Sequence, residues 1–487
     1  MKQEHASSGT PPGCFAFWPV TGGVALRQAQ GSTPGYVSLN PPGSITKTLL
    51  VRGAVAALAL LGASCGKGPP APRADGPESL LVPETGAYTG AFIDFGDTED
   101  DVTVENIEDF EKLVGKQQAI VASSSYWGEQ SFPTANLELI WRHGSVPLVF
   151  WSPWDRPYDE DQGPDKFSLA NIAAGKWDAY IDHWGDAARA FRHPIMVSFA
   201  NEMNGQWFPW SGIFFGCDKQ IPNTDPPDYS APEVFAPPYL TWWEWFPWRG
   251  VFFGTGKQPY PLADWLGGKP VSKTATPKYV GPLIIKLEYR KWWGDLGYPR
   301  YVAPEVFKAA YRRVVDRVRA RGASNVVWVF HFMNYSMPQE YWNLIGNYYP
   351  GSKYVDWLGM SLYGQQYVED NWSSFEPLLD WPYTEITQID PTKPVMLAEW
   401  GIGEFPQFGS KSGFIAEAFA TMKKYPKLKA AVFWNERWQN ESSEDPDGTF
   451  HDGGYSNLRV NSTPESLAAY RNGVDQPYWL GRPIIGH

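Results

Sequence analysis

Ile195-Met-Val-Ser198-Phe-Ala-Asn201-Glu202-Met-Asn204-Gly205-Gln-Trp207-Phe-Pro-Trp210-Ser-Gly212 is the stretch whose reading decides the fold. It begins as the apolar run of a buried strand. It then turns polar, with a carboxylate, three amides and two indoles, a combination no plain connecting loop needs. Far downstream, Pro394-Val-Met-Leu-Ala-Glu399-Trp-Gly401 repeats the theme: an apolar run that ends on a glutamate.

Between and around these two runs, apolar strands alternate with helical patterns, the mark of a parallel α/β sheet. The strand candidates are Ala87–Asp94, Gln118–Ser124, Val146–Trp151, Ile195–Asn201, Val326–Phe332, Val355–Leu362, Val395–Glu399 and Lys429–Trp434. Trp177, Tyr180, Ile181, Trp184, Ala188 and Phe191 keep one helical face apolar, as do Phe307, Ala310, Tyr311, Val314 and Val318. Phe414, Ala418, Phe419 and Met422 form another stripe. Pro304 opens the second of these helices and Gly322 follows its end, as capping preferences ask. Eight repeats predict a closed (β/α)8 barrel over an open doubly wound sheet. In such a barrel the site lies at the C-terminal strand ends. Glu202, after strand four, and Glu399, ending strand seven, therefore face one bowl.

The rhythm is broken once. Residues 213–302 stand where a βα loop takes ~2–6 residues. This insertion contains an echo: Trp207-Phe-Pro-Trp-Ser-Gly-Ile-Phe-Phe-Gly216 returns as Trp245-Phe-Pro-Trp-Arg-Gly-Val-Phe-Phe-Gly254. Ala231-Pro-Glu-Val-Phe235 likewise returns as Ala303-Pro-Glu-Val-Phe307. The second copy carries Tyr239 and Leu240 where the first has Asn201 and Glu202, so the chemistry was not duplicated. The segment reads as an elaborated loop over the catalytic face; a neutral duplication outside the cleft is the alternative.

The N-terminal part reads as processing sequence. Residues 1–46 read as an N-terminal extension, expected to lie outside the natural product. Residues 47–65 hold Lys47, Arg52, a short apolar run and Cys65, which is the order of a secretory signal. The run is too short for a permanent membrane helix. Small residues before Cys65 resemble a bacterial lipobox, although Gly62 stands where a large aliphatic residue is expected, so Cys65 is the expected lipidation site. Residues 66–84 are a Pro/Gly tether, and residues 85–480 form the barrel with its insertion. The expectation is an exported protein, secreted or held to the cell envelope by its lipid. Of Cys14, Cys65 and Cys217 only the last lies in the globular part, so no internal disulfide framework is expected.

The net charge of −12 argues against a nucleic-acid partner. No metal-ligand spacing, Walker pattern or dinucleotide fingerprint stands out, so neither metal nor cofactor is expected. Aromatic residues make up 16% of the chain, with 25 Trp, many beside Gly, Pro, Asn and Glu. That placement suits a surface for stacking ligands. A carboxyl to protonate a leaving oxygen, amides to hold hydroxyls and indoles to stack on sugar faces are what glycosidic cleavage requires, and a pair of carboxylates is its minimum equipment.

The chain resembles glycoside hydrolase family 26, the β-mannanase and lichenase family, within the clan of retaining (β/α)8 glycosidases. The resemblance rests on Asn201-Glu202-Met-Asn204-Gly205-Gln-Trp207-Phe-Pro-Trp210, Asn325-Val-Val-Trp-Val329, Tyr354-Val-Asp-Trp-Leu-Gly359 with Tyr363, Ala398-Glu-Trp-Gly401, and Val432-Phe-Trp434-Asn435. It implies Glu202 as general acid/base and Glu399 as nucleophile, with Tyr363 orienting Glu399 and Trp434 flooring the sugar. Trp207, Trp210, Trp151 and Trp154 are then candidates for neighbouring subsites, and Asn204 for a hydroxyl-binding amide. Two positions depart from the family's pattern. Asn201 stands where the family usually has His, and can hold the sugar 2-hydroxyl as in other families of the clan. Ser198 stands where an Arg is usual, which removes a cation from near the nucleophile. Glu404 and Glu436 read as solvated loop acids. The implied activity is retaining hydrolysis of a β-linked polysaccharide, endo-β-1,4-mannan first and mixed-linkage β-glucan second. The contrasting reading is a carbohydrate-binding lipoprotein that kept the cleft and lost turnover. The expected partner is the polysaccharide alone, with the protein a monomer and membrane contact only through the lipid.

Overall fold

A computed structural model describes residues 77–96, 98–157, 164–216, 220–221, 300–368, 370–439, 443–444, 450–451 and 455–486. The N-terminal extension, the signal-like segment with Cys65, Cys14, Cys217 and nearly all of insertion 213–302 lie outside the described residues.

All eight predicted strands form. They are β1 (Ala87–Phe92), β2 (Ile120–Tyr126), β3 (Val146–Ser152), β4 (Ile195–Phe199), β5 (Val326–Met333), β6 (Trp357–Tyr363), β7 (Val395–Gly401) and β8 (Leu428–Trp434). Each pairs in parallel with the next, and β8 pairs back onto β1, which closes the barrel. The strands read as near-continuous apolar runs because each is covered on both sides, by the barrel interior and by the helices outside. The main helices are α1 (Val104–Val114), α2 (Thr134–His143), α3 (Asp178–Phe191), α4 (Val302–Ala320), α5 (Phe375–Ile389), α6 (Lys411–Met422) and α7 (Pro464–Val474). Their caps follow from sequence: Thr103 accepts from the Asn106 amide to open α1, and Gly115 closes it in the left-handed conformation. Pro304 lies in the first turn of α4 and Gly322 just past its end, as expected.

A charged ladder joins the helices on either side of β4. Asp178, Asp182 and Asp186 on α3 pair with Arg313, Arg317 and Arg321 on and just past α4. Both sets step by four residues, one helical turn, so each rung repeats the last. Arg313 meets Asp178 in a two-pronged bond at 2.7 Å on each side, and Arg321 meets Asp186 at 2.9 and 2.6 Å. Contact with solvent keeps each rung weak in energy, but the ladder fixes how α4 docks after a long interruption of the chain.

Register places the polar side chains. Ser198 on β4 lies opposite Val329 on β5, His331 lies opposite Gly359 on β6, and Ser361 lies opposite Glu399 on β7. From β4 to β5 and from β5 to β6 the row steps two residues further along, which is the stagger of a tilted barrel, while Ser361 and Glu399 stand level. Ser198, His331, Ser361 and Glu399 form one diagonal row. Gly359 keeps the row open, since a Cβ there would stand 2.6 Å from Val329 Cγ1.

Candidate active site

The chain leaves β4 through a strained turn. Ala200 and Glu202 hold left-handed φ values of 48° and 54°, uncommon for residues with a side chain. The turn is tied down on both sides. The Glu202 amide donates to the His331 carbonyl at 2.9 Å, and the Gly205 amide donates to the Glu202 carbonyl at 2.8 Å. Trp210 Nε1 donates to the Asn201 carbonyl at 2.6 Å. Asn204 acts as a strut: its Nδ2 donates to the Met333 carbonyl and its Oδ1 accepts from the Met333 amide, both at 2.9 Å. Backbone strain of this kind persists where surroundings over-determine it, and it clusters at functional sites.

The turn delivers Glu202 into a nearly closed position, 7% exposed. Trp207 folds back so that its Nε1 donates to Glu202 Oε2 at 2.7 Å. Gly205 makes this possible, because a Cβ there would lie 2.5 Å from the Trp207 ring. Burial raises the Glu202 pKa above its ordinary value; hydrogen bonds from Ser361 and Trp207 pull it down, and the Glu99 carboxylate nearby pushes it up.

Glu399 arrives differently. It sits within β7 at a register shift, where Leu397 opposes Met360 and Glu399 opposes Ser361, so Ala398 is an extra residue. Such a bulge re-aims a side chain without ending the strand. Tyr363 Oη donates to Glu399 Oε2 at 2.7 Å. Burial, then the charge of Glu399, holds the Tyr363 phenol far above its ordinary pKa, so it stays a donor. Carboxylate oxygens of Glu202 and Glu399 lie within 4.8 Å of each other. The bowl thus brings the two glutamates together, with Tyr363 and Trp207 each bonded to one of them.

Beneath the pair lies a row of which the sequence motifs mark only Ser198. Ser198 Oγ meets His331 Nδ1 at 2.9 Å, and His331 Nε2 meets Ser361 Oγ at 2.8 Å. His331 Nε2 is also 4.0 Å from Glu399 Oε1. Burial pushes the His331 pKa down to about 3, so the imidazole is neutral at ordinary pH. The available signal was a lone histidine in the apolar run Val326–Met333 and a lone serine in Trp357–Tyr363. Glu99, 4% exposed and bonded by Ser124 Oγ at 2.8 Å, was likewise missed; its loop has no strand or helix pattern to mark it.

Several expected ligand residues are instead supports. Trp151 is fully buried against Trp127 and Trp184, its Nε1 donating to Tyr180 Oη, because it points out of the barrel toward α3. Trp210 stacks on Phe208 and packs edge-on to the buried Trp154. Asn204 is wholly buried and commits its amide to backbone. These four are buried in the wall of the bowl. Asn201 keeps the expected role open: its buried Oδ1 has no partner within the protein. Trp434 ends β8, with one ring face stacked on Phe92 at 3.9 Å. Its Nε1 donates to Glu436 Oε2 at 2.7 Å. Glu436 is therefore a buried carboxylate that holds Trp434, not the solvated acid expected. Glu404 is half-buried and accepts from Ser462 Oγ at 2.6 Å.

Glu202, His331 and Glu399 are the one group among the described residues whose atoms could converge on a metal ion. Both imidazole nitrogens already meet serine hydroxyls, which suits support of the carboxylates better than ligation. Among the described residues no helix is long and apolar enough to cross a membrane.

Comparison with known proteins bears on this site. Residues 289–449, which include Tyr363, Glu399 and Trp434, match the family model of glycosyl hydrolase family 26. Endoglucanase H of Acetivibrio thermocellus is 24% identical over 373 residues, covering 76% of this chain and 29% of that protein. The chain thus spans under a third of that curated relative's length. Among solved structures, a GH26 β-mannanase from Bacteroides ovatus is similar at 16% identity and a TM-score of 0.45, covering 81% of this chain and 90% of that one. The YdhT protein of Bacillus subtilis is similar at 14% identity and a TM-score of 0.45, covering 82% and 88%. Over residues 289–449, a third of its length, the chain is thus similar to glycosyl hydrolase family 26.

Proposed function

We propose that the chain is a retaining glycoside hydrolase that cleaves a β-linked polysaccharide, endo-β-1,4-mannan in the first place, by double displacement. The observation that carries this reading is the approach of Glu202 and Glu399 oxygens to within 4.8 Å. Carboxyl groups about 5–5.5 Å apart suit covalent double displacement, whereas inversion needs roughly 6.5–9.5 Å to admit a water. In the first step Glu399 attacks the anomeric carbon while Glu202 gives its proton to the departing glycosidic oxygen. In the second, Glu202 takes a proton from water, the water oxygen bonds to the anomeric carbon and Glu399 leaves. The environments fit these roles: burial favours the protonated form of Glu202, and the Tyr363 hydroxyl donates to Glu399. Asn201 Oδ1 is the acceptor for a sugar hydroxyl.

A second substrate, mixed-linkage β-glucan, is favoured by the curated relative's name as an endoglucanase. Reducing-sugar release from mannan and from mixed-linkage β-glucan separates the two. Proton NMR of the fresh product should show the β-anomer; an α-anomer from a β-linkage overturns double displacement, and no release from any β-glycan leaves the carbohydrate-binding reading. We further propose export with lipid on Cys65. Cys65→Ala should move the protein from detergent phase to soluble fraction, and persistence on the membrane refutes the anchor. The 213–302 segment is assigned to substrate length preference, and joining Gly212 to Ala303 by a short linker should change product lengths.

A further inference from the structure

The space beneath the two carboxylates is filled. It holds three uncharged groups in line, on three neighbouring strands, and all are buried: Ser198 and Ser361 fully, His331 at 2% exposure. The distances are 2.9 Å and 2.8 Å along the row. The row ends beside the two carboxylates: Ser361 lies opposite Glu399, and atoms of His331, Glu202 and Glu399 lie within 4.8 Å of one another.

We propose that Ser198, His331 and Ser361 form a directed, uncharged hydrogen-bond relay, with His331 held as the Nε2–H tautomer, whose last hydroxyl donates to Glu202. The proposal rests on the double-displacement reading above. Direction follows from the surroundings. A neutral imidazole has one N–H and one lone pair, and a hydroxyl can serve either. The Nε2 side faces Ser361 and Glu399, whose Oε1 is 4.0 Å away; the Nδ1 side faces the Ser198 hydroxyl. A proton on Nε2 points its dipole at the carboxylates, and the lone pair on Nδ1 is then capped by Ser198 O–H. With Nε2–H donating to Ser361 Oγ, the Ser361 hydroxyl hydrogen is free to donate onward to Glu202.

The consequence concerns the half of the reaction in which Glu202 must be ionised. An acid/base residue gives its proton in the first step and takes one back from water in the second. Burial alone favours only the protonated form. Trp207 and Ser361 are the two donors that stabilise the ionised form, and of these Ser361 is the one backed by the relay. Ser198, His331 and Ser361 are therefore positioning residues: they act on substrate through Glu202. The titratable groups that face the row are Glu202, Glu399, Glu99 beyond Glu202, Tyr335 toward Glu202, and Tyr363 with Glu436 beside Glu399.

The test has a spectroscopic arm and a kinetic arm. The protein has seven histidines, so nitrogen–proton correlation spectra of 15N-histidine-labelled wild type, with His331→Gln for assignment, read the tautomer directly. The expected result is Nε2–H for His331, mixing with Nδ1–H in Ser198→Ala; an Nδ1–H wild type overturns the proposal. In the kinetic arm, Ser361→Ala is assayed on an aryl β-glycoside whose leaving group needs no proton. The first step then bypasses Glu202, so kcat/KM should hold within about twofold. At pH values below the raised pKa a smaller fraction of Glu202 is ionised, so the second step should slow by up to about tenfold there, with kcat and KM falling together. The basic limb of the profile on a poor leaving group should rise by about one pH unit. A merely structural role would lower kcat/KM on both substrates and leave that limb in place, which overturns the relay. The two arms separate failures: a protein that turns over no β-glycoside refutes the double-displacement reading, whereas an active enzyme with the wrong tautomer refutes the relay alone.

Discussion

The two carboxylates reach one bowl by opposite backbone devices. Glu399 stays in regular strand, and a single extra residue at Ala398 aims it opposite Ser361. Glu202 stands outside its strand, on a left-handed turn that Asn204, Trp210 and the His331 carbonyl hold shut. The difference teaches that a strand can place a carboxylate with little distortion when the group keeps one role. On the double-displacement reading proposed above, the group that is protonated in one step and ionised in the next is the one set apart, buried and given donors of its own.

Deleting each carboxylate is the hardest blow to that comparison. Glu399→Ala should lose activity on every substrate by on the order of 10⁵-fold or more, because no bond to the anomeric carbon can form. Glu202→Ala should lose about 10²–10⁴-fold on a poor leaving group and far less on an activated aryl glycoside. Azide should rescue Glu202→Ala to a β-glycosyl azide and Glu399→Ala to an α-glycosyl azide. The opposite pair of anomers would show that the assignments are exchanged.

Removing one donor from each side sharpens the contrast. Tyr363→Phe takes the 2.7 Å bond from Glu399 and should lower kcat/KM about 10–100-fold for good and poor leaving groups alike, as expected for a charge-assisted bond. Trp207→Phe takes the 2.7 Å bond from Glu202. Since that donor stabilises the ionised form, its loss should move the basic limb of the pH–rate profile upward by about one pH unit. Equal effects of both variants on both leaving groups would erase the distinction between the sites.

How much of this was legible differs by element. The barrel was, because eight apolar runs alternate with amphipathic stripes and each pattern is local. The meeting of Glu202, Glu399 and Tyr363 in one bowl was, because the first closely follows such a run and the other two lie at the ends of theirs. The roles of the indoles were not. Trp151 and Trp434 both end apolar runs, but strand alternation and barrel stagger turn the first into the α3 contact, where it meets Trp184, and only the fold settles which way each faces. The Ser198–His331–Ser361 row was illegible for a stronger reason: its members lie on three strands, and only the shear brings them into line.

The strut under the strained turn predicts a middling effect. Asn204→Ala would leave the Met333 amide and carbonyl without their side-chain partner in a fully buried place. Each unsatisfied buried polar group costs about 1–3 kcal/mol, so denaturant titration should show a loss of roughly 2–4 kcal/mol. With the turn relaxed, kcat should fall several-fold; full activity at reduced stability would show that the left-handed backbone is not what positions Glu202.

A buried carboxylate away from the bowl supplies the control, with no expected effect on turnover. Glu385 lies on α5, outside the barrel, 9% exposed, and its Oε2 has no partner. Burial raises its pKa from 4.5 to about 8, with no donor opposing it as Ser361 and Trp207 oppose burial at Glu202. The sign follows from proton counting. Between pH 4.5 and about 8 the folded chain keeps the Glu385 proton while the unfolded chain has lost it. The native state binds more protons there, so this group's contribution to stability declines as pH rises through that window and levels off above it. A tenfold change in proton affinity is worth about 1.4 kcal/mol, so the decline amounts to roughly 3–5 kcal/mol. Glu385→Gln removes the titration and nearly keeps the shape. Relative to wild type it should gain stability steadily from pH 5 to pH 8, with kcat unchanged throughout. Melting temperatures of the two proteins that run parallel across those pH values would show that the carboxyl finds a partner on folding, and that an undonated buried acid is not the counterpart of Glu202.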